Sequence, residues 1–368
     1  MKLELNILKM DVDKRISVLV YSKDDKLLRR HYLSNKNKYR QGYENTLTFN
    51  LKEDYKIVFA YKKLISLPIQ LSKSLPSLKV RINKRYNVFT VDYYNKGINK
   101  TGEVYQKTFK SDLLSYRRGS KINTFIYKQP NKEGKPYKLL IAFDGQNLFS
   151  INGVGKYTTK NDPYGSWQVD KILTKVSLDT NNPYLVLSID NANYYRDKDL
   201  TMSQEFGKVD KRFAFNKKFM NGKLENLCKV IVNDMIPYLK ENYDIDWSDV
   251  GTFGSSSGGL ACFYLGLNYS DMFSYILSFS PALFFFTPND LNKLIIGKDK
   301  LPTLVLTGGY ISQLEKLLTD FNEYYYGIVK DIYPKNKLLW LVDRKVDHNE
   351  IAWRYHFPYS FDFNKYSK

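Results

Sequence analysis

The chain has 368 residues, 43% of them apolar, and a formal net charge of +19. That length suits two domains or one large one, and the apolar share excludes a disordered chain. No long Lys/Arg run and no nucleic-acid motif accompanies the charge, so it reads as a solvated lysine surface whose field favours an anionic small substrate, with no nucleic-acid partner.

Residues 1–128 read as β. The runs KLELNILKM, RISVLVYS, NTLTFNL, YKIVFAY, LKVRI and NVFTVDYY alternate apolar and polar residues between polar or Pro-containing turns. Strands at this spacing without helical patterns predict a β-sandwich-like domain, and EVYQKTFKS and KINTFIYKQP continue the β character. The N-terminus alternates like a strand and carries acids early, unlike a signal peptide. No apolar run reaches the ~20 residues needed to span a bilayer. A cytoplasmic, membrane-free protein is the expectation. Cys228 and Cys262 lie in apolar, helix-like segments and are expected to be buried free thiols.

A turn-rich connection, Gln129–Lys138, leads into residues 129–368, where strands alternate with helices. The strand candidates are 139–143, 184–189, 250–253, 275–279, 303–306 and 338–342, near-continuous apolar runs of the kind covered on both faces in a parallel sheet. The clearest helix covers about 222–243, with Leu224, Leu227, Cys228, Ile231, Met235 and Leu239 at helical spacing and a kink expected at Pro237. The fold class is α/β, a mainly parallel doubly wound sheet preceded by the sandwich-like domain.

The segment GTFGSSSGGLACFY, Gly251–Tyr264, follows a short apolar strand and opens an amphipathic helix. Within it, Gly254-Ser255-Ser256-Ser257-Gly258 fits G-x-S-x-G, a sharp strand-to-helix turn that presents a serine nucleophile. By register that serine is Ser256. The N–H groups at the following helix start then face a developing oxyanion. A serine needs a base, and the chain has three histidines, His31, His348 and His356. His31 comes too early for the chain order Ser, acid, His; His348 follows the last strand; His356 sits in an apparent helix and reads as structural. Three dispersed histidines give no metal site, and no cofactor is expected.

The segments LLIAFDGQNLF, WQVDKIL, LVLSIDNANYYR, GTFGSSSGGLACFYLGLNYSDMFSYILSFSPALFF and DHNEIAWRYHFP resemble the putative esterase family of α/β hydrolases, which includes enterochelin esterases, esterase D-like enzymes and feruloyl esterases. The likeness covers about residues 102–360 at five motifs in order. It implies Ser256 as nucleophile, His348 as base within a terminal H-x-x-x-x-W motif ending at Trp353, and backbone N–H groups of Gln146 and Ser257 as the oxyanion hole. One departure stands out. Aligned on the glycine and trailing Ser-Gln-Leu of LVLTGGYISQLEK, the family's acid position becomes Gln313, an amide. A charged partner for His348 then has to come from Asp343, Asp347 or Glu315; Asp343, which closes the final strand, is the expectation. The implied reaction is serine-dependent hydrolysis of a small carboxylic ester, such as a siderophore lactone or an aryl or acyl ester of a sugar. The alternatives are an acyltransferase, in which an alcohol replaces water, and a non-catalytic binding protein whose amide at Gln313 marks lost chemistry. A homo-oligomer is compatible with the sequence.

Overall fold

The computed structural model describes residues 2–361 apart from 12–15, 23–25, 34–44, 51–54, 62–63, 66–68, 72–76, 86–87, 96–101, 132, 150–165, 191–193, 204–220 and 345. The chain divides into two compact units, Met1–Lys100 and Thr101–Lys368.

The first unit contains β1 (Lys2–Asp11), β2 (Ile16–Ser22), β3 (Leu27–Leu33), β4 (Asn45–Asn50), β5 (Tyr55–Tyr61), β6 (Leu64–Ile65), β7 (Ile69–Leu71), β8 (Ser77–Arg85) and β9 (Val88–Asn95). They form two sheets. One has the order β4-β1-β8-β9, with β1 and β8 parallel. The other is antiparallel, β3-β2-β5-β6, with β7 also on β5. In the second sheet the alternation seen in RISVLVYS and YKIVFAY meets in register. Val18 pairs with Phe59 and Val20 with Ile57, and all four are buried.

The second unit holds one eight-stranded sheet. Its strands are β10 (Glu103–Lys110), β11 (Lys121–Lys128), β12 (Tyr137–Ala142), β13 (Tyr184–Asp190), β14 (Ile245–Ser255), β15 (Tyr275–Phe279), β16 (Thr303–Gly309) and β17 (Leu338–Asp343). The order is β10-β11-β13-β12-β14-β15-β16-β17. The first two strands run antiparallel to their neighbours and the remaining pairs are parallel. This is an α/β-hydrolase arrangement. Its beginning differs from the domain boundary expected at 128/129: β10 and β11 pair through β13 into this sheet, so the division falls at residue 100. An antiparallel hairpin that enters a parallel sheet at its edge has the same alternating pattern as a sandwich strand, which is why its sequence reads as part of the first unit.

The helices are α1 (Val169–Thr180), α2 (Arg196–Asp199), α3 (Leu224–Val230), α4 (Ile236–Asn242), α5 (Ser257–Asn268), α6 (Pro288–Ile295), α7 (Gln313–Ile332) and α8 (Glu350–His356). The single helix expected over 222–243 is α3 and α4 joined by a π turn at Ile231–Met235. The wider turn takes up the missing N–H of Pro237.

Strand alternation sends successive side chains to opposite faces, where two cores form. Leu139 and Ile141 of β12 join α3, α5 and α7 residues such as Leu227, Leu260 and Leu318 in one core. Leu140 and Ala142 join Val169 and Leu173 of α1 and Trp353 of α8 in the other. Cys228 and Cys262 are free and wholly buried, and burial pushes both thiols above their ordinary values. Among the described residues no helix is long and apolar enough to cross a membrane.

Candidate active site

The chemistry-bearing residues of the second unit follow the C-terminal ends of five adjacent parallel strands, where open α/β sheets bind ligands. After β14 comes Ser256, with φ 55° and ψ −122°. For a residue with a side chain such dihedrals cost about 1–3 kcal/mol and persist only where neighbours over-determine them. Here they do. The Ser256 N–H donates to the Phe279 carbonyl at 2.9 Å, and its own carbonyl accepts from Leu260 at 3.0 Å and Ala282 at 3.1 Å. The flanking glycines explain the G-x-S-x-G spacing. A Cβ on Gly254 would lie 2.3 Å from the Gly258 carbonyl oxygen, and one on Gly258 would lie 2.9 Å from Asp144 Oδ2. Ser255 and Ser257 are buried, while Ser256 is only half-buried. Of the three serines, Ser256 is therefore the one that meets solvent.

After β12 comes the Asp144-Gly145-Gln146-Asn147 turn. Asp144 receives a two-point ion pair from Arg196, Nε to Oδ1 at 2.7 Å and Nη2 to Oδ2 at 2.8 Å. Arg196 opens α2, and Asp199 at the other end of that one-turn helix is buried in an ion pair with Arg117 and a 2.8 Å hydrogen bond from the Tyr116 hydroxyl. The turn that carries Gln146 is thus clamped through α2 to the segment between β10 and β11. Asn147 adds a 3.3 Å bond to Glu350 of α8. Gln146 and Ser257 are both buried, and the amide N–H of neither donates to another described residue. At a helix start such amides are anion-seeking donors.

His348 lies in the loop after β17, and this loop folds back onto the end of β16. Ile311 N–H donates to the Val346 carbonyl at 3.2 Å, and a Cβ on Gly309 would come 2.5 Å from that same oxygen. Folding back carries the imidazole to the first turn of α7. There His348 Nδ1 donates to Glu315 Oε2 at 2.6 Å, and Glu315 is wholly buried. The expectation that Asp343 partners His348 is therefore corrected. Asp343 sits opposite Gly309 at the strand end, where its carbonyl accepts the Val346 N–H, while Nδ1 belongs to Glu315. Asp347 caps the turn, accepting the His348 N–H on Oδ1 at 2.7 Å. Gln313, the residue aligned with the family acid, is exposed at the first position of α7.

A signal for Glu315 was present in Ser312-x-x-Glu315, the S-x-x-E pattern of a helix start. Ser312 does cap α7, its hydroxyl accepting the Glu315 N–H at 3.2 Å. The Glu315 carboxylate, instead of reaching back to the cap, turns to His348 and to Ser280, which donates to Oε1 at 2.7 Å. Ser280 was not singled out by the sequence. It lies within Phe279–Ala282, the same segment whose backbone grips Ser256, so this segment joins the two halves of the site. Trp353 packs edge-on against the imidazole, with ring centroids 5.0 Å apart. His356 is buried on α8 and its Nδ1 has no partner among the described residues. Burial lowers its pKa against the opposing pull of Asp343 and Glu315. Among the described residues no His/Cys/Asp/Glu group is placed to hold a metal ion.

The family model described as putative esterase matches residues 115–292, a span that includes Gln146 and Ser256 and ends before Glu315 and His348. No curated protein matches the sequence. Among solved structures, the chain is similar to siderophore hydrolase EstA from Aspergillus nidulans, with 14% identity over 71% of this chain and 94% of that one and a TM-score of 0.54. It is also similar to BES protein from Bacillus cereus, with 16% identity over 73% and 97% and a TM-score of 0.53. The enterobactin esterase FES from Shigella flexneri, solved in the presence of enterobactin, matches 99% of this chain and 92% of its own at 14% identity and a TM-score of 0.52. At these identities the likeness is one of fold.

Proposed function

We propose that the protein, whose residues 115–292 match the putative esterase family model, hydrolyses a carboxylic ester by a serine mechanism, with Ser256, His348 and Glu315 as its triad. The observation that carries this reading is the 2.6 Å hydrogen bond from His348 Nδ1 to a fully buried carboxylate. With Nδ1–H tied there, the lone pair of the neutral imidazole is on Nε2, the atom a serine base needs. The binding-protein alternative rested on an amide at the acid position; the carboxylate beside His348 supports the catalytic reading instead.

The reaction runs in two halves. Ser256 Oγ attacks the ester carbonyl carbon while His348 Nε2 takes the hydroxyl proton, and the Glu315 carboxylate stabilises the imidazolium so formed. The carbonyl oxygen becomes an oxyanion that accepts from the Gln146 and Ser257 amides, for which no competing acceptor is present among the described residues. Collapse breaks the C–O bond, and His348 returns the proton to the leaving alkoxide. Water, deprotonated in turn by His348, then releases the acid and restores Ser256.

For the substrate we favour a siderophore lactone over a sugar ester. The fold likeness to an enterobactin esterase runs through both units, and a charge of +19 suits an anionic ester. A fluorophosphonate probe tests the nucleophile. The expected result is a single adduct on the peptide bearing Ser256 and none in Ser256→Ala; an adduct on Ser255 or Ser257, or equal labelling of the variant, would overturn the assignment. Hydrolysis of enterobactin followed by chromatography, against p-nitrophenyl butyrate, tests the substrate class.

A further inference from the structure

We propose that Ser280 is a positioning residue for the acid–base pair: its hydroxyl, itself held by the Trp353 indole, fixes the orientation of the Glu315 carboxylate that holds His348. The proposal rests on the reading of His348 as the base and adds the element that sets the direction of its hydrogen bonds.

The donor and acceptor inventory leaves one arrangement. An indole N–H only donates, and an ionised carboxylate only accepts. Trp353 Nε1 lies 3.3 Å from Ser280 Oγ, and Ser280 Oγ lies 2.7 Å from Glu315 Oε1. The indole therefore donates to the hydroxyl, and the hydroxyl spends its single proton on Oε1. Oε2 is left for the Nδ1–H of His348 at 2.6 Å. Each oxygen of a carboxylate with no exposed surface thus has one donor, as a charge in a dry site requires. The same Trp353 ring packs edge-on against the imidazole, so indole, hydroxyl, carboxylate and imidazole form a closed circuit.

The backbone at Ser280 supports a purpose beyond packing. Its φ is 42°, in the left-handed region that favours glycine. The peptide is pinned there by its N–H, which donates to the Thr307 carbonyl at 3.1 Å and to the Thr307 hydroxyl at 3.2 Å. Glycine would suit this backbone better, yet a hydroxyl-bearing residue occupies it, 2% exposed and with its side chain committed to Glu315.

This mismatch supplies the test. Ser280→Gly removes the hydroxyl and eases the backbone; Ser280→Ala removes the hydroxyl and keeps the strain. If the hydroxyl positions Glu315, both variants lower kcat on p-nitrophenyl butyrate by about 10–100-fold with KM unchanged, by analogy with the loss of a partner that orients a metal-ligating side chain. Both also move the acid limb of the kcat/KM profile to higher pH. A carboxylate stripped of one donor is more basic and stabilises the adjacent imidazolium more strongly. The other titratable groups near this pair, His356 on α8, Asp343 at the end of β17 and Asp347 beside His348, are retained in these variants. Trp353→Phe shifts the limb in the same direction by less, and adding it to Ser280→Gly gives little further loss. Wild-type turnover in Ser280→Gly with a slow Ser280→Ala would show a backbone role only and overturn the proposal. So would a uniform loss at all pH values. Ser256→Ala, measured alongside, separates the two failures: its retention of activity overturns the serine mechanism and this proposal together, whereas its loss beside an active Ser280→Gly overturns this proposal alone.

Discussion

The Ser256 half of the site is built from one unbroken stretch, Gly254–Gly258, whereas the His348 half is drawn from the ends of three strands and from α8. In the first, the residues that set the turn lie within five positions. The two backbone arms pass within a distance that excludes a Cβ on Gly254, and Gly258 leaves room for Asp144, so glycines stand two residues before and two after the serine. In the second, the requirement is only that some carboxylate reach Nδ1 from a neighbouring strand end. Glu315 meets it from the third residue of α7, 33 positions before His348. A site half fixed by backbone crossing leaves a spacing in the sequence; a half fixed by side-chain reach leaves only a residue type.

The sharpest way to break this contrast is at the acid. Glu315→Gln is expected to lower kcat by up to ~10⁴-fold, since an amide neither stabilises the imidazolium nor enforces the tautomer. Asp343→Asn and Gln313→Ala are expected to stay near wild type, because neither residue touches the imidazole: Asp343 lies opposite Gly309, and Gln313 faces solvent. Steady-state hydrolysis of p-nitrophenyl butyrate by the three variants decides it. A slow Asp343→Asn with an active Glu315→Gln would mean that the loop rearranges when substrate binds and that the acid has indeed moved to the last strand.

The legible and illegible parts of the molecule follow the same division. The parallel strands, α5 and the register of Ser256 were readable because apolar runs, helical spacing and the glycine pair act within a dozen residues. The acid was not. Alignment on Gly308 and Gly309 and the trailing Ser-Gln-Leu led to Gln313, two residues short of the side chain that points inward. The S-x-x-E start of α7 held the needed information, for a Glu in the first turn of a buried helix can face the strand end it follows. Ser280 was illegible because a serine at positive φ looks like any turn residue until its partners are in place. The Arg196–Asp144 pair spans 52 positions and has no local signature at all. The boundary at residue 100 was missed for a topological reason, since a hairpin pairing at a sheet edge reads the same in either domain.

The Ser256 half is sharpened by Gly254→Ala. Its new Cβ would lie 2.3 Å from a backbone oxygen, where no flexible side chain can yield. The expected loss is about 1–3 kcal/mol of stability, as for other overpacking substitutions, together with a displaced Ser256 and reduced fluorophosphonate labelling. Urea titration and labelling rate measure the two effects. Wild-type values for both would show that the arms of the turn can separate without consequence, and the glycine spacing would lose its physical reason.

The smallest expected effect belongs to His356, and it tests whether the buried surroundings of the acid tolerate a second charge. His356 is buried on α8, and burial holds its pKa below the ordinary imidazole value of 6.5 although the carboxylates of Asp343 and Glu315 pull the other way. The folded protein therefore keeps this ring neutral at a pH where the unfolded chain already takes up a proton. Stability is at its full value above pH 6.5 and declines as the pH falls from there towards the lower folded value, since the unfolded state binds more protons over that interval. Replacing the ring with an aliphatic side chain, His356→Leu, removes the titrating group and should flatten that part of the slope. Urea midpoints of the wild type and the variant above and below pH 6.5 give the comparison. If the variant keeps the wild-type slope, the decline comes from elsewhere. If it becomes steeper, His356 was accepting a proton in the fold, and the carboxylates beside it, not its burial, govern its charge.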